Sequence, residues 1–337
     1  MKQIQKQSVY PLMCVVVLWV SGCVTPTLPE APIWDSEAMP QQLLKKGAGE
    51  GPAWDPKLGL LFSGNQHIHR WQPDHGLQLF REKAGTNGLT FDNQGRLLAC
   101  EPAQRQVTRL ELDGRLTVLS SHYKGSIYNT PNDITTDSLG RIYFSDPRYG
   151  NRSDMEMKDD DGSIVEGVYC IHLDGSIERV ITHEVDRPNG VLVSGDGRYL
   201  FVADNNNNTV DGAHKLWRFR RKTNGSLHLN SRKLIFDWGT SRGPDGMVQD
   251  KLGRIYVAAG LNTDNEPYET RLPYPAGIFV FSEQGMLLDH LPIPNDEVTN
   301  CTFGSRDLKT LYVTAGGSLW SMRTHVPGDL IWPGEQP

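Results

Sequence analysis

One short pattern recurs six times along the 337-residue chain: a polar opening residue with a partner, a few strand-forming residues, a tight turn, then a stronger apolar run. The openings are Glu50-Gly51, Asn87-Gly88, Asn132-Asp133, Asn189-Gly190, Asp245-Gly246 and Asn300-Cys301. Turns such as Asp92-Asn93-Gln94-Gly95, Asp137-Ser138-Leu139-Gly140 and Asp250-Lys251-Leu252-Gly253 follow them. A spacing of about 40–55 residues, filled with strands alone, predicts an all-β fold: a six-bladed β-propeller with four antiparallel strands per blade. Equivalent residues then stand at equivalent places around one axis, so the oxygen-bearing side chains of the openings are expected to converge.

The second strands are the clearest: Leu60–Ser63, Leu97–Cys100, Ile142–Ser145, Tyr199–Ala203, Ile255–Ala258 and Leu311–Thr314. Their β-branched and aromatic residues suit a half-buried pleated surface. The sixth repeat has three strands and then Pro327. The missing fourth is expected from the other end of the chain, because Leu43–Gly51 reads like Leu79–Gly88, one residue shorter. A ring closed this way leaves no exposed sheet edge at the seam. In such a blade, the loop entering the first strand and the loop joining the second and third strands share one face. The latter loops are long and polar at 146–167, 204–215 and 259–277. Long loops in a compact domain usually carry function.

The N-terminus is a separate object. Lys2 and Lys6 precede an apolar run from Pro11 to Val20, too short to span a bilayer and shaped like a signal peptide. It ends in Val20-Ser21-Gly22-Cys23, a pattern that resembles a bacterial lipoprotein signal, with acylation expected on Cys23. Expected boundaries are a signal at 1–22, a Pro-containing tether at 23–40, the propeller at 41–325 and a tail at 326–337. This predicts a lipid anchor to a membrane of the bacterial cell envelope, on the periplasmic side of the outer membrane, since Val24 is not the Asp of inner-membrane retention. Cys100, Cys170 and Cys301 remain in the domain, an odd number without metal-site spacing, and read as small buried hydrophobes. A net charge of −6 argues against nucleic acid as a partner.

Glu50, Asn87, Asn132, Asn189, Asp245 and Asn300 form a ring of hard oxygen donors suited to one divalent cation, with Ca²⁺ expected and Mg²⁺, Zn²⁺ or Mn²⁺ possible. Such an ion polarises an ester or lactone carbonyl, and a neighbouring carboxylate can take a proton from water. Asp245 is the candidate base. A G-x-S-x-G occurs at Gly239–Gly243, but in a chain of strands without the strand–turn–helix of a nucleophile elbow, which argues against a serine esterase. Arg148 and Tyr149 open the long third-blade loop and are candidate substrate contacts, with Asn87 and Asn132. Asn205–Asn208 read as a solvated turn.

The segments Glu50-Gly51-Pro52-Ala53-Trp54, Thr86-Asn87-Gly88-Leu89-Thr90-Phe91, Ser145-Asp146-Pro147-Arg148-Tyr149-Gly150, Arg187-Pro188-Asn189-Gly190-Val191 and Gly243-Pro244-Asp245-Gly246-Met247 resemble the gluconolactonase and senescence marker protein (regucalcin) family over roughly residues 41–325. The resemblance implies a metal-dependent hydrolase that opens sugar lactones. It also implies metal ligands Glu50, Asn189 and Asp245, Asn132 as ligand or substrate contact, and Asp245 as general base. Where regucalcin-like members carry Arg two residues before Asn132, this chain has Thr130, so sugar recognition is expected to differ. Two other readings stay open on the residues: a phosphoester or phosphofluoridate hydrolase on the same metal, and a non-catalytic ligand-binding propeller with structural calcium.

Overall fold

The computed structural model describes residues 31–35 and 39–331. Cys23 and the expected signal segment lie outside them. Six four-stranded antiparallel sheets make up the domain, with one extra two-stranded ribbon, His122–Tyr123 with Ser126–Ile127. The first blade is Glu50–Asp55, Gly59–Gly64, His67–Gln72 and Gly76–Arg81. The second is Leu89–Phe91, Leu97–Glu101, Gln106–Leu110 and Leu116–Ser120. The third is Ile134–Thr136, Ile142–Asp146, Gly167–Ile171 and Ile177–Ile181. The fourth is Pro188–Val193, Tyr199–Asn205, His214–Arg221 and Leu227–Asp237. The fifth is Met247–Gln249, Ile255–Ala259, Gly277–Phe281 and Leu287–Pro292, and the sixth is Val298–Gly304, Thr310–Ala315 and Ser318–Arg323. The inner strands contact one another in cyclic order and the sixth returns to the first, so the blades form a ring.

The sixth blade is completed by Gln41–Leu44, which pairs antiparallel with Ser318–Arg323 in the register Gln41↔Ser321, Gln42↔Trp320 and Leu44↔Leu319. The seam is held by packing too: Ala48, Leu60, Phe62, Tyr312 and Leu319 form one buried cluster between the sixth and first blades. The core is not a single ball. Five further clusters lie between neighbouring blades, for example Val191, Val202 and Phe219 with Val168 and Ile181 between the third and fourth. Second strands have neighbours on both faces, which explains why Leu97–Glu101, Ile142–Asp146 and Ile255–Ala259 are buried along their whole length.

The hairpins between first and second strands share a polar lock. Asp92, Asp137 and Asp250 each accept N–H bonds from residues two and four ahead and an Arg Nε from residue four ahead, Arg96, Arg141 and Arg254. The buried carboxylate is thereby fully used, which is the condition for burying a charge.

Chain on either side of the ring packs against the hairpin face. The described part of the expected tether, Pro32–Asp35, belongs to the same compact unit as the propeller. Trp34 donates from Nε1 to Asp289 Oδ2 at 2.7 Å, stands edge-on to Tyr256, and bridges to Thr324. The first part of the expected tail does likewise: Gly328 donates to Leu308 O and Asp329 to Gln249 O, and Leu330 packs on the core between the fifth and sixth blades.

Removing residues 41–48 takes away the outer strand of the sixth blade and Ala48 from the seam cluster. The shortened domain is expected to melt on the order of 10 °C lower, since a few kcal/mol shifts a domain of this size by that much. An unchanged melting temperature would contradict closure by this strand.

Candidate active site

The six inner strands crowd around one axis. Gly88 N donates to Asn132 O at 2.7 Å and Gly246 N to Thr299 O at 2.8 Å, so the openings of adjacent blades touch through their backbones. A Cβ on Gly190 would lie 2.0 Å from Asp245 O, and one on Gly246 only 1.9 Å from Asn300 Cγ. This close approach is why glycine follows the polar residue in those openings.

Side chains from different blades meet inside this ring. Asn300 Nδ2 donates to Glu50 Oε2 at 3.1 Å, and Glu50 Oε2 also accepts the Gly51 N–H. Asn300 spends its carbonyl oxygen on the N–H of Cys301, so it holds Glu50 in place rather than offering an oxygen of its own. Asp245 is held from one side, its Oδ2 accepting from Arg242 Nη2 at 2.9 Å. A third carboxylate is Asp133, which accepts the Val191 N–H at 3.0 Å. The sequence pattern pointed to Asn132 and missed its neighbour. The signal was there: Asp133 stands where four other openings have glycine.

These three acids stand close together with little water. Burial, then the charge of Asp245, pushes Glu50 well above the usual carboxylate range. Burial pushes Asp133 to about 6, against the pull of the Val191 and Ile134 N–H groups. Asp245 rises to about 7, again chiefly by burial, with Arg242 opposing and Glu297 and Asp133 adding. Two amide oxygens nearby in the ring, Asn87 Oδ1 and Asn189 Oδ1, are buried and accept no hydrogen bond. Among the described residues, no three His, Cys, Asp or Glu side chains are grouped to hold a metal alone. The donor set is therefore a mixed one of carboxylates and amide carbonyls. Repelling acids beside unpartnered carbonyl oxygens fit a hard divalent cation.

The remaining candidates separate. Asn132 is half-buried, and its backbone joins the ring through Ser145 O and the Gly88 N–H. Tyr149 reaches the site: its hydroxyl donates to Asn205 O at 3.0 Å, the Arg187 guanidinium lies over its ring, and after burial the charge of Asp245 is the largest influence raising its phenol. Arg148 spends its donors within its loop region, on Asn151 O, Asn129 O and Asp154. Thr130 donates to Pro147 O, again within the same loop region. The expected turn at Asn205–Asn208 holds for Asn207 and Asn208 and is corrected for the first two residues. Asn205 ends a strand and is fully buried with Asn206 close behind, because Asp204 anchors that strand by accepting the Arg187 and Asp186 N–H groups. Arg242 beside Asp245, and Glu269 and Glu297 beside Arg242, were not foreseen. They sit in or beside irregular segments, where no periodicity marks them.

The raised acids predict a pH dependence of stability. A carboxyl whose folded pKa exceeds its unfolded value of 3.8 favours the fold at low pH, and that contribution is lost as pH rises through the folded value. With chelator present, the melting temperature is expected to fall between about pH 5 and pH 8. Added Ca²⁺ should flatten most of the fall, and Asp146, raised to about 8 by burial outside the ring, should keep a remainder. A flat profile in chelator would contradict the electrostatic picture.

Comparison with known proteins places this geometry. The chain is 28% identical over 306 residues to a gluconolactonase of Zymomonas mobilis, covering 83% of this chain and 79% of that protein. It is 25% identical over 283 residues to a pentonolactonase of Haloferax volcanii, covering 80% and 81%. A solved gluconolactonase structure from Xanthomonas campestris superposes with a TM-score of 0.70 at 27% identity, covering 88% of this chain and 95% of that one. The sequence profile of the SMP-30/Gluconolactonase/LRE-like region matches residues 48–317, and the chain belongs to that family.

Proposed function

We propose that this protein hydrolyses sugar lactones of the gluconolactone type to the open aldonic acid, using one divalent cation. The observation that carries this reading is the ring itself. Glu50, Asp133 and Asp245 are gathered at raised pKa beside the unpartnered Asn87 and Asn189 oxygens, in a chain similar to a gluconolactonase and a pentonolactonase. Glu50, Asn189 and Asp245 would hold the cation, with Asn132 beside it as ligand or substrate contact. A cation bound there supplies Lewis acidity toward the lactone carbonyl. Ca²⁺ is the first choice for an all-oxygen site, with Mg²⁺, Mn²⁺ and Zn²⁺ as alternatives.

The protein residues divide the remaining work. Arg242 fixes Asp245 through Oδ2, which leaves Oδ1 as the acceptor. At Oδ1, Asp245 takes a proton from the attacking water as the water oxygen adds to the carbonyl carbon. The ring C–O bond then breaks, and the same proton is returned to the departing ring oxygen, giving a hydroxy acid. Burial of the ring keeps competing water out and strengthens each of these interactions. Acylation of Cys23 would hold the enzyme at the cell envelope, and mass spectrometry of the mature N-terminus tests that location.

Asp245→Asn is expected to lower kcat on gluconolactone by at least about 10²-fold, the usual worth of a positioned base. EDTA should abolish turnover and a divalent salt restore it. Asn189→Ala should raise the metal Kd by about tenfold or more. Full activity of Asp245→Asn, or turnover indifferent to EDTA, would overturn the mechanism.

A further inference from the structure

Arg242 is buried beside the proposed base, yet only one part of its guanidinium is used. Nη2 donates to Asp245 Oδ2. Nε and Nη1 donate no hydrogen bond, although the side chain is 3% exposed. Nη1 lies 3.3 Å from Glu297 Oε1 and 3.9 Å from Glu269 Oε2, near both carboxylates but well aligned with neither. Glu269 is fully enclosed, whereas the Glu297 side chain is 50% exposed and opens this group to solvent. Tyr149 feels the charges of both Asp245 and Arg242, so its ring borders the same space. Buried donors without partners are costly, and the cost falls when a ligand supplies acceptors.

We propose that Arg242 and Glu297 together recognise the hydroxyl-bearing part of the lactone and select a neutral, polyhydroxylated ring. This rests on the lactonase reading given above and names its substrate class. A sugar hydroxyl both donates and accepts. The free Arg242 N–H groups supply donors and Glu297 supplies an acceptor, and together they match a pair of hydroxyls. Charge sets the second half of the selection. With Asp245 assigned to the cation, Arg242 faces two carboxylates and the half-exposed Glu297 is the one open to the ligand, so a phosphorylated or carboxylated lactone held beside it meets a like charge. An unsubstituted lactone meets no repulsion but leaves the Arg242 donors unpaired, which a polar site rejects strongly. Arg242 lies in the irregular segment that leads into the fifth blade.

The test compares kcat and KM of the metal-loaded protein on three substrates: gluconolactone, its 6-phosphate, and δ-valerolactone, which has no hydroxyls. Wild type is expected to prefer gluconolactone over both others. Arg242→Gln should lower turnover of both lactones, since it also frees Asp245, but kcat/KM for gluconolactone should fall about 10-fold or more further than that for δ-valerolactone, with the extra loss mostly in KM. Arg242→Lys keeps the charge and should fall between. Glu297→Gln is at a half-exposed position and threatens folding least. It should narrow the gap between gluconolactone and its 6-phosphate. Equal loss on gluconolactone and δ-valerolactone would show that Arg242 acts only through Asp245, and loss on neither would show that it does not meet substrate; either result overturns the proposal. Melting curves of each variant separate these outcomes from misfolding. Wild type that turns over none of the three lactones refutes the lactonase reading itself, a result distinct from either failure of Arg242.

Discussion

Six inner strands approach one axis so closely that the openings of adjacent blades touch through their backbones, and the other features of the site follow from that crowding. Where glycine occupies the second opening position, a Cβ would collide with the next blade. The polar residue before it is left to carry the chemistry. Crowding also sets the electrostatics. Glu50, Asp133 and Asp245 come from the first, third and fifth blades, and burial raises all three. The cation proposed for the axis would offset the repulsion of the acids and satisfy the idle carbonyl oxygens of Asn87 and Asn189 at once. On that proposal, the local destabilisation that burial creates would be the source of the site's affinity.

The rest of the fold serves to keep that axis rigid. Apolar clusters between successive blades wedge the ring from outside, and the Asp–Arg locks of the hairpins tie first to second strands on the opposite face. Gln41–Leu44 closes the sixth blade, so each of the six sheets has four strands. Pro32–Asp35 and the chain through Ile331 lie on the hairpin side. The long polar loops of the third, fourth and fifth blades stand on the other side, where Tyr149 and Glu297 reach toward Asp245 and Glu269 toward Arg242.

The ring architecture and its seam were readable in the sequence because they repeat: the same opening, turn and second strand recur at similar spacing, and Leu43–Gly51 echoes Leu79–Gly88. The place of Glu50, Asn189 and Asp245 at blade openings was readable for the same reason. Asp133 broke the pattern at a position where glycine is usual, and a pattern read for what recurs passes over what departs. Arg242, Glu269 and Glu297 were not readable. Arg242 reaches Asp245, and the two acids reach Arg242, through segments without periodicity, and only the folded chain brings Glu269 and Glu297 beside a residue tens of positions away. Arg148 failed in the opposite sense, since a conspicuous loop arginine is spent on its own loop and the segment before it. Asn205 and Asn206 looked like a solvated turn by composition, but the buried Asp204 anchors a strand that runs to Asn205, and both are buried.

The central claim is that one divalent cation sits on the propeller axis between Glu50, Asn189 and Asp245. Anomalous diffraction from crystals grown with Mn²⁺ tests it most directly. A single strong peak within coordination distance of those three side chains is the predicted result. A peak elsewhere, or none at the axis in crystals that are otherwise well ordered, would contradict it.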